Sequence, residues 1–529
     1  MDIHDGTSTI REAFEFSALL RQNADVPRQE KLDYVKTVLD TLDLTELQDA
    51  VIGSLPLEQK RRTTIGVELC ARPSLLLFLD EPTSVCFCSS FDLSAANIGF
   101  QGLDSQGALS IVSLLRKLAN AGQAIVCTIH QASQQQIELF DRVLALNPGG
   151  NVYYFGDVGP RGKTVGDYFA RHGVVVEEGK NVADLLIEVG VGAARMENME
   201  LGSPDWNDVW KQSPEAKEVI EKVDHICAQE KGAEKSRSAS DNTVFAASTW
   251  TQVVELTKRT SRQYWRTPEY PYSRLYASVL HSLINGLTYL QIGNSLTDMQ
   301  LRSFSCFLIL MVVAEFINAT SMKFIENRDI WQEREYPSRI YGWVAFTTAQ
   351  VVSELPYAIV GGVVFFLLFY FPVGLPLGTP AGYTFLMVVF FHLFATSWGQ
   401  WIAAMSMDSV MAANMMPFFI IMCDLFNGVM QPQAEMPVFW AYTMYYLGPF
   451  TYWIGGILSM ILTGQPVVCE PEELITFHAP PEMTCVEYAG EFLASNPGYL
   501  ANPEEVGSCQ YCPYKYGDDV SISTSANLM

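Results

Sequence analysis

Over roughly the first 245 residues, apolar and charged positions are interleaved as in a water-soluble globular domain; beyond them long uncharged runs take over. A helix needs roughly 20 consecutive apolar residues to cross the hydrocarbon core of a bilayer. Five stretches meet that requirement: 272–292, 304–322, 343–371, 383–405 and 412–430. A sixth uncharged run, 438–462, carries Pro449 near its middle and reads as a span or as a re-entrant helical hairpin. In the first part of the chain two short apolar runs read as strands instead. One is Leu75-Leu76-Leu77-Phe78-Leu79, bounded by Pro73 and Pro82; the other is Ala124-Ile125-Val126-Cys127-Thr128-Ile129, ending at His130. Short continuous apolar runs of this kind belong to strands of a parallel sheet covered on both faces. Upstream, Ser54 to Arg62 leads into a helix-like stretch, Thr64-Ile65-Gly66-Val67-Glu68-Leu69. The pattern predicts an α/β domain followed by an all-α polytopic membrane domain.

Charge orients that second part. Lys258, Arg259, Arg262, Arg266 and Arg274 precede the first span, Lys323, Arg328, Arg334 and Arg339 lie between the second and third, and beyond them only Lys515 is basic. Loops rich in Lys and Arg stay cytosolic. Five crossings from a cytosolic start end outside, which makes the sixth run re-entrant and the tail beyond residue 464 extracellular. The expected location is a multi-pass membrane protein, at the plasma membrane, with a cytosolic first domain. Of 11 cysteines, Cys469, Cys485, Cys509 and Cys512 fall in that tail, where disulfides form. Four cysteines allow three pairings, and spacing does not choose among them. The net charge of −24 argues against a nucleic-acid partner, which needs clustered basic residues. Met1-Asp2-Ile3-His4-Asp5 is no secretory leader, so the internal spans would direct insertion.

Ionisable residues inside spans are functional candidates, or else pair within a helix bundle. Here they are His281, Glu315, Glu354, His392 and Asp424, and Glu354 stands out because Pro356 follows it closely.

Two carboxylates, Asp80 and Glu81, end the first strand, where open α/β sheets place their ligands. This is a Walker B arrangement: Asp80 would hold Mg²⁺ through water, and Glu81 would polarise the water that attacks a γ-phosphate. His130, at the end of the second strand, would contact that phosphate and the water. Ser54-Leu55-Pro56-Leu57-Glu58-Gln59 and Gly102-Leu103-Asp104-Ser105-Gln106 flank these strands in sequence. In that order the elements resemble the signature, Walker B, D-loop and switch histidine of an ABC ATPase. Leu55, Glu58 and Gln59 in a Leu-x-x-Glu-Gln pattern, Glu81-Pro82-Thr83-Ser84, and Phe324-Ile325-Glu326-Asn327-Arg328-Asp329-Ile330 with Arg334-Glu335-Tyr336-Pro337-Ser338 resemble the C-terminal half of the fungal pleiotropic-drug-resistance (ABCG-type) transporters. The resemblance implies a second nucleotide-binding domain over 1–160, a helical extension and flexible linker over 161–245, an ABC-2-type membrane domain over 246–464, and an extracellular cysteine-containing loop over 465–529. It further implies ATP and Mg²⁺ as cofactors, Leu55, Glu58, Gln59 and Asp104 as nucleotide contacts, and ATP-coupled export of small amphipathic or drug-like molecules. The expected partners are membrane lipid and an N-terminal transporter half, in cis or in trans.

The sequence also departs from that family. It contains no Gly-x-x-x-x-Gly-Lys-Ser/Thr, the loop that cradles phosphates. In the family this loop lies upstream of the segment matching Met1-Asp2-Ile3-His4, so Met1 reads as an internal methionine, and a final span follows the equivalent of Cys512-Pro513. Pro56 stands where a small residue is usual. Residues 85–101 interrupt a stretch that runs straight on in the family: 17 residues, or 51 nucleotides at three per codon. Val85-Cys86 can be written GTATGT, Ala96-Asn97 GCTAAC, and Phe100-Gln101 can end in CAG, which are splice donor, branch point and acceptor sequences. These residues are expected to be a translated, unspliced intron, the alternative being an authentic surface loop; recovery of the full 51 nucleotides in full-length polysomal message would refute the intron. The alternative to an exporter half is a truncated or decayed copy without ATPase or transport activity. A soluble binding module with an anchor fits poorly, since five spans exceed what anchoring requires.

Overall fold

A computed structural model describes residues 4–73, 76–82, 105–130, 132–177, 179–196, 204–230, 243–480 and 483–519. The chain forms two compact units, Met1–Gln252 with Arg334–Gly342, and Val253–Glu333 with Trp343–Met529. The expected insert 85–101 and Asp104 lie outside the described residues.

In the first unit, α1 (Ile10–Arg21) opens with a reciprocal cap between Thr9 and Glu12, a device that satisfies two otherwise orphaned amides. It packs with α2 (Arg28–Thr41) and α3 (Leu57–Cys70) around Phe14, Val38, Leu42, Ile65 and Leu69. Gly66 inside α3 has a packing reason: a Cβ there would stand 2.1 Å from Phe14 and 2.6 Å from Leu42. The strand β1 (Leu76–Leu79), the helix α4 (Ser105–Asn120) and the strand β2 (Ala124–Cys127) follow, with β1 and β2 parallel and Leu76 opposite Ala124. One face of this pair packs on the α1–α4 core through Leu77, Leu79, Ile125 and Cys127. The other is open: Phe78 is 72% exposed and Val126 49%. Covered on both faces was the expectation from the apolar runs; among the described residues the sheet is covered on one.

The helix α5 (Gln134–Ile137) leads into an antiparallel hairpin, β3 (Arg142–Leu146) and β4 (Val152–Asp157), which the hydrophobic pattern did not disclose. With α6 (Lys163–Arg171), α7 (Val182–Gly190), α8 (Trp206–Gln212) and α9 (Pro214–Glu230) it surrounds a second apolar cluster. Tyr154 lies 5.1 Å from Tyr168 and Phe169 5.5 Å from Trp206, ring centre to ring centre. This cluster runs from Ala132 to Ala216 across the boundary drawn at 160. It also draws in Trp206 and Trp210 from a stretch that reads as a polar linker, because two buried indoles outweigh its charged surroundings. Residues 334–342 return to this unit: Arg334 donates to His4 Nδ1 and approaches Glu68 at 4.0 Å, and Tyr341 meets Phe16 edge-on at 6.1 Å. Burial, and secondarily the Arg334 charge, hold the His4 imidazole well below its ordinary pKa, so it is neutral at pH 7 and can accept from the guanidinium.

The second unit is helical. After α10 (Thr249–Arg266) and α11 (Glu269–Thr288), α12 (Leu296–Phe307), a 3₁₀ turn and α13 (Val313–Ile330) run on as one stretch, Leu296–Glu335. Then come α14 (Trp343–Val373), α15 (Thr379–Met405) and α16 (Ser409–Leu425). Three described helices are long and apolar enough to cross a membrane: Leu296–Glu335, Trp343–Val373 and Thr379–Met405. The first and fifth expected spans correspond to α11 and to the 17-residue α16. The sixth run is broken into α17 (Val438–Trp440), a π turn and α18 (Pro449–Leu462). Pro449 therefore starts a helix, where its missing amide costs nothing, instead of kinking the middle of one.

Arg274 is not an interfacial cation. It is 3% exposed, paired with Glu354 of α14, and donates to Thr396 of α15 at 2.9 Å, while Tyr270 donates to the same carboxylate. Arg328 is buried too and donates to the Ala403 and Met407 carbonyls. Lys323 is buried as well, so three of the nine basic residues used to orient the spans are enclosed by protein.

Beyond α18, β5 (Ile475–His478), α19 (Cys485–Ser495), β6 (Tyr499–Leu500) and β7 (Ser508–Cys512) form a small antiparallel sheet, ordered β5-β7-β6, with one helix. Cys469 is bonded to Cys512 and Cys485 to Cys509, which selects one of the three pairings. Glu473 caps α12, accepting from the Leu296 and Thr297 amides at 3.1 and 2.8 Å. Burial raises its pKa, but hydrogen bonds led by that from the Thr297 hydroxyl outweigh this and lower it from 4.5 to about 2. A depressed carboxyl contributes stability above its unfolded value, so this cap is intact from neutral pH down to about 4.5 and is lost as pH falls towards 2.

The bridges close loops of 43 and 24 residues, worth about 4 and 3.5 kcal/mol in the chain-entropy account. A non-reduced proteolytic digest should yield the peptides Cys469–Cys512 and Cys485–Cys509. Replacing Cys485 and Cys509 together by alanine should cost about 3 kcal/mol of the tail's stability. Free thiols, or a Cys469–Cys485 peptide, would contradict the nested arrangement.

Candidate functional site

The parallel pairing of β1 and β2 sets the site, because side-by-side strands deliver their C-terminal residues to the same edge. Asp80 and Glu81 emerge from β1, Thr128 and His130 from β2. The Thr128 hydroxyl donates to Asp80 Oδ1 at 2.7 Å and accepts from the Glu81 amide at 2.8 Å. His130 Nε2 lies 3.1 Å from Glu81 Oε1. The structure thus brings His130 to the adjacent pair Asp80 and Glu81, 50 and 49 positions before it in the sequence. It adds Thr128, which sequence reasoning missed; its only signal was its place two residues before His130.

Glu81 has φ +46°, a left-handed backbone that costs a non-glycine residue of order 1–3 kcal/mol. The hydrogen bond from its amide to Thr128 holds the turn and aims the carboxylate at His130. Both side chains are open to solvent, Glu81 at 41% and His130 at 80%. The arrangement sets a carboxylate in direct contact with an imidazole beside a second, fixed carboxylate, and can polarise a water bound next to that pair.

The other candidates lie apart from this edge in sequence and differ in environment. Leu55 is 8% exposed and belongs to the α1–α4 core. Glu58, in the first turn of α3, accepts from Arg62 Nη2 at 2.9 Å and from the Ser110 hydroxyl at 2.8 Å, tying α3 to α4. The Gln59 side-chain oxygen is buried without a partner. Pro56 precedes the first helical residue and contributes no side-chain cap, so no side chain competes there for the first-turn amides of α3.

Mg²⁺ retains several waters and is commonly held by one or two carboxylates with phosphate oxygens. A single fixed carboxylate, Asp80, fits that habit, and no cluster of three or more ligating side chains occurs among the described residues. ATP fits only in part: Glu81 and His130 suit the reacting end, but this sequence holds no phosphate-cradling glycine-lysine loop.

Of the five ionisable residues within the expected spans, Glu354 is paired as described. His281 and His392 bond through Nδ1 to the carbonyls of Ala277 and Val388. Glu315 is exposed in the first turn of α13, and Asp424 Oδ1 is buried without a partner.

Residues 251–462 match the family model described as ABC-2 type transporter. Over 98% of its length the chain is 49% identical to the ABC multidrug transporter atrF of Aspergillus fumigatus, covering 32% of that protein. It is 41% identical to ABC multidrug transporter G of the same fungus and 39% identical to the Brefeldin A resistance protein of Schizosaccharomyces pombe, each over 98% of the chain and covering 37% and 33% of those proteins. The chain spans about a third of the length of the curated relatives it matches. Among solved structures, cbiO1 from Clostridium perfringens, part of the ABC transporter complex cbiONQ, aligns with 31% of this chain and 56% of its own at 22% identity and a TM-score of 0.24, too low to equate the folds.

Proposed function

The chain belongs with the fungal ABC multidrug transporters, residues 251–462 being its ABC-2 type domain, and from that premise we propose that it acts as the second half of an ATP-driven exporter of amphipathic or drug-like molecules. The observation that carries the reading is the Glu81–His130 pair, 3.1 Å apart at the ends of two paired parallel strands. Asp80, fixed by Thr128, would take the cation through a water. Glu81 would accept the proton of the attacking water, and His130 would orient that water through its shared hydrogen bond. Mg²⁺, when bound with the nucleotide, supplies charge neutralisation at the phosphates. The phosphate cradle, and further strands to cover the open face of β1 and β2, would come from polypeptide additional to these residues.

Glu58 and Gln59 at the start of α3, and by the resemblance Asp104, would contact the nucleotide of a partner half, while Leu55 anchors that segment in the core. Binding energy there would displace α3, and Arg334, docked on α3 at Glu68, would pass the displacement along the chain to α13 and α14. The spans would lie in the plasma membrane, with the disulfide-bonded tail on the oxidising, extracellular side. The decayed-copy alternative is not favoured, since the likeness to working transporters runs over 98% of the chain and not over fragments.

The test is functional complementation. In fungal cells stripped of their own multidrug exporters, this chain produced with the remaining two-thirds of a relative's polypeptide should restore efflux of a fluorescent amphipath. Absence of efflux although both pieces reach the membrane would overturn the proposal.

A further inference from the structure

We propose that the exposed face of α10 is a binding site for anionic phospholipid headgroups. Lys258, Arg262 and Arg266 stand at four-residue steps, which places them one above another on a single face of the helix, and all three are exposed. The opposite face is fixed: Leu256, Thr260, Gln263 and Tyr264 are buried, and the Tyr264 ring lies 4.9 Å from Tyr270 and 6.1 Å from Tyr357. The helix is therefore held by one side and presents three aligned cations on the other. Trp265, beside them, is 79% exposed.

The next helix says what lies against that face. On α11 the exposed apolar side chains recur at Tyr272, Tyr276, Leu280, Ile284 and Leu287. Two tyrosines followed by aliphatic residues on one stripe are the pattern of a lipid-facing helix whose aromatic end sits at the headgroup level. The stripe puts the hydrocarbon boundary near Tyr276, so Trp265 and the three cations fall on the headgroup side of it. Charge selects the occupant. The chain as a whole carries −24, and an exposed cationic row runs against that balance. Cations at this depth attract acidic lipids, and guanidinium groups bind phosphate oxygens in paired hydrogen bonds. Lys258 also meets Glu255 at 3.2 Å. This inference rests on the membrane reading of α11 and not on ATP-coupled export; a chain that failed to enter bilayers would fail that reading first.

The test uses the full chain reconstituted into phosphatidylcholine nanodiscs containing, at equal mole fraction, dibrominated phosphatidylcholine or dibrominated phosphatidylserine. The difference in tryptophan quenching between the wild type and Trp265→Phe isolates Trp265. Quenching of Trp265 should be about twofold stronger with the brominated serine lipid, and raised salt should shrink the excess. Lys258→Gln, Arg262→Gln and Arg266→Gln together should abolish it, while Lys258→Arg, Arg262→Lys and Arg266→Lys should keep it. Equal quenching by both lipids in the wild type, or an excess that survives the glutamine variant, would overturn the site. Loss of the excess when inorganic phosphate replaces chloride at constant ionic strength would mark a soluble-anion site and overturn it equally. If the glutamine variant does not reconstitute, the salt titration of the wild type decides: an excess that does not shrink refutes the site.

Discussion

Changing Glu81 to glutamine is expected to lower ATP turnover by about 10²–10⁴-fold, the range by which a positioned general base accelerates a reaction. The measurement requires this chain joined to polypeptide that supplies the phosphate-binding loop; by itself the chain should show no turnover that Glu81→Gln removes. The size of the effect follows from geometry. Glu81 is held by a strained backbone and by the Thr128 hydroxyl, and His130 stands 3.1 Å from its carboxylate. Glutamine preserves shape and hydrogen bonding but cannot take a proton at the same position. Nucleotide binding should remain, because the binding groups are untouched. Thr128→Val should act more weakly and differently, since it releases Asp80 and the Glu81 amide without removing either carboxylate. Retention of a third or more of wild-type turnover by Glu81→Gln would remove the general base from this site.

Replacing Glu354 by alanine should destabilise the second unit by about 3–5 kcal/mol, the cost of leaving one partner of a buried ion pair uncompensated. Arg274 and Glu354 are each 2% exposed in their side chains and come from different helices, α11 and α14. Tyr270 and Thr396 extend the contact, the latter from α15, so one cluster joins three helices. The Arg274 guanidinium also lies 4.8 Å from the Phe316 ring, which gives the cation a second favourable neighbour. With the carboxylate gone, this charge has no counter-ion and little water. Arg274→Met combined with Glu354→Leu should recover much of the loss, because no charge is then stranded. Exposure of the buried Cys306 thiol on heating in detergent reports the transition. Strict additivity of the two single substitutions would show that the residues do not act as a pair.

The site was legible as a list of residue types before it was legible as a place. Asp80, Glu81 and His130 each follow a short apolar run, and that local position is written in the chain. Their meeting depends on β1 and β2 being neighbours, a pairing across nearly 50 residues that no local pattern states. Thr128 escaped notice for the same reason, since a hydroxyl on a strand end means little until a carboxylate is brought within 2.7 Å. The second core was hidden by composition: the charged residues around Trp206 and Trp210 read as linker, although the two indoles are buried with Tyr154, Tyr168 and Phe169.

By itself the sequence determined what periodicity and composition can carry: where apolar runs are long enough to cross a bilayer, where they are short enough to be strands, and which acids and imidazole end those strands. Hydrophobicity acts residue by residue, so it leaves a trace in the order of the chain. Only the tertiary structure decided the partners. Arg274 looks like an interfacial cation in sequence and proves to be the counter-ion of Glu354, 80 residues away. Cys469, Cys485, Cys509 and Cys512 permit three pairings that spacing cannot separate, and the sheet formed by β5, β7 and β6 fixes one. Each of these outcomes turns on the distance between groups far apart along the chain, a quantity set by packing and absent from any local pattern.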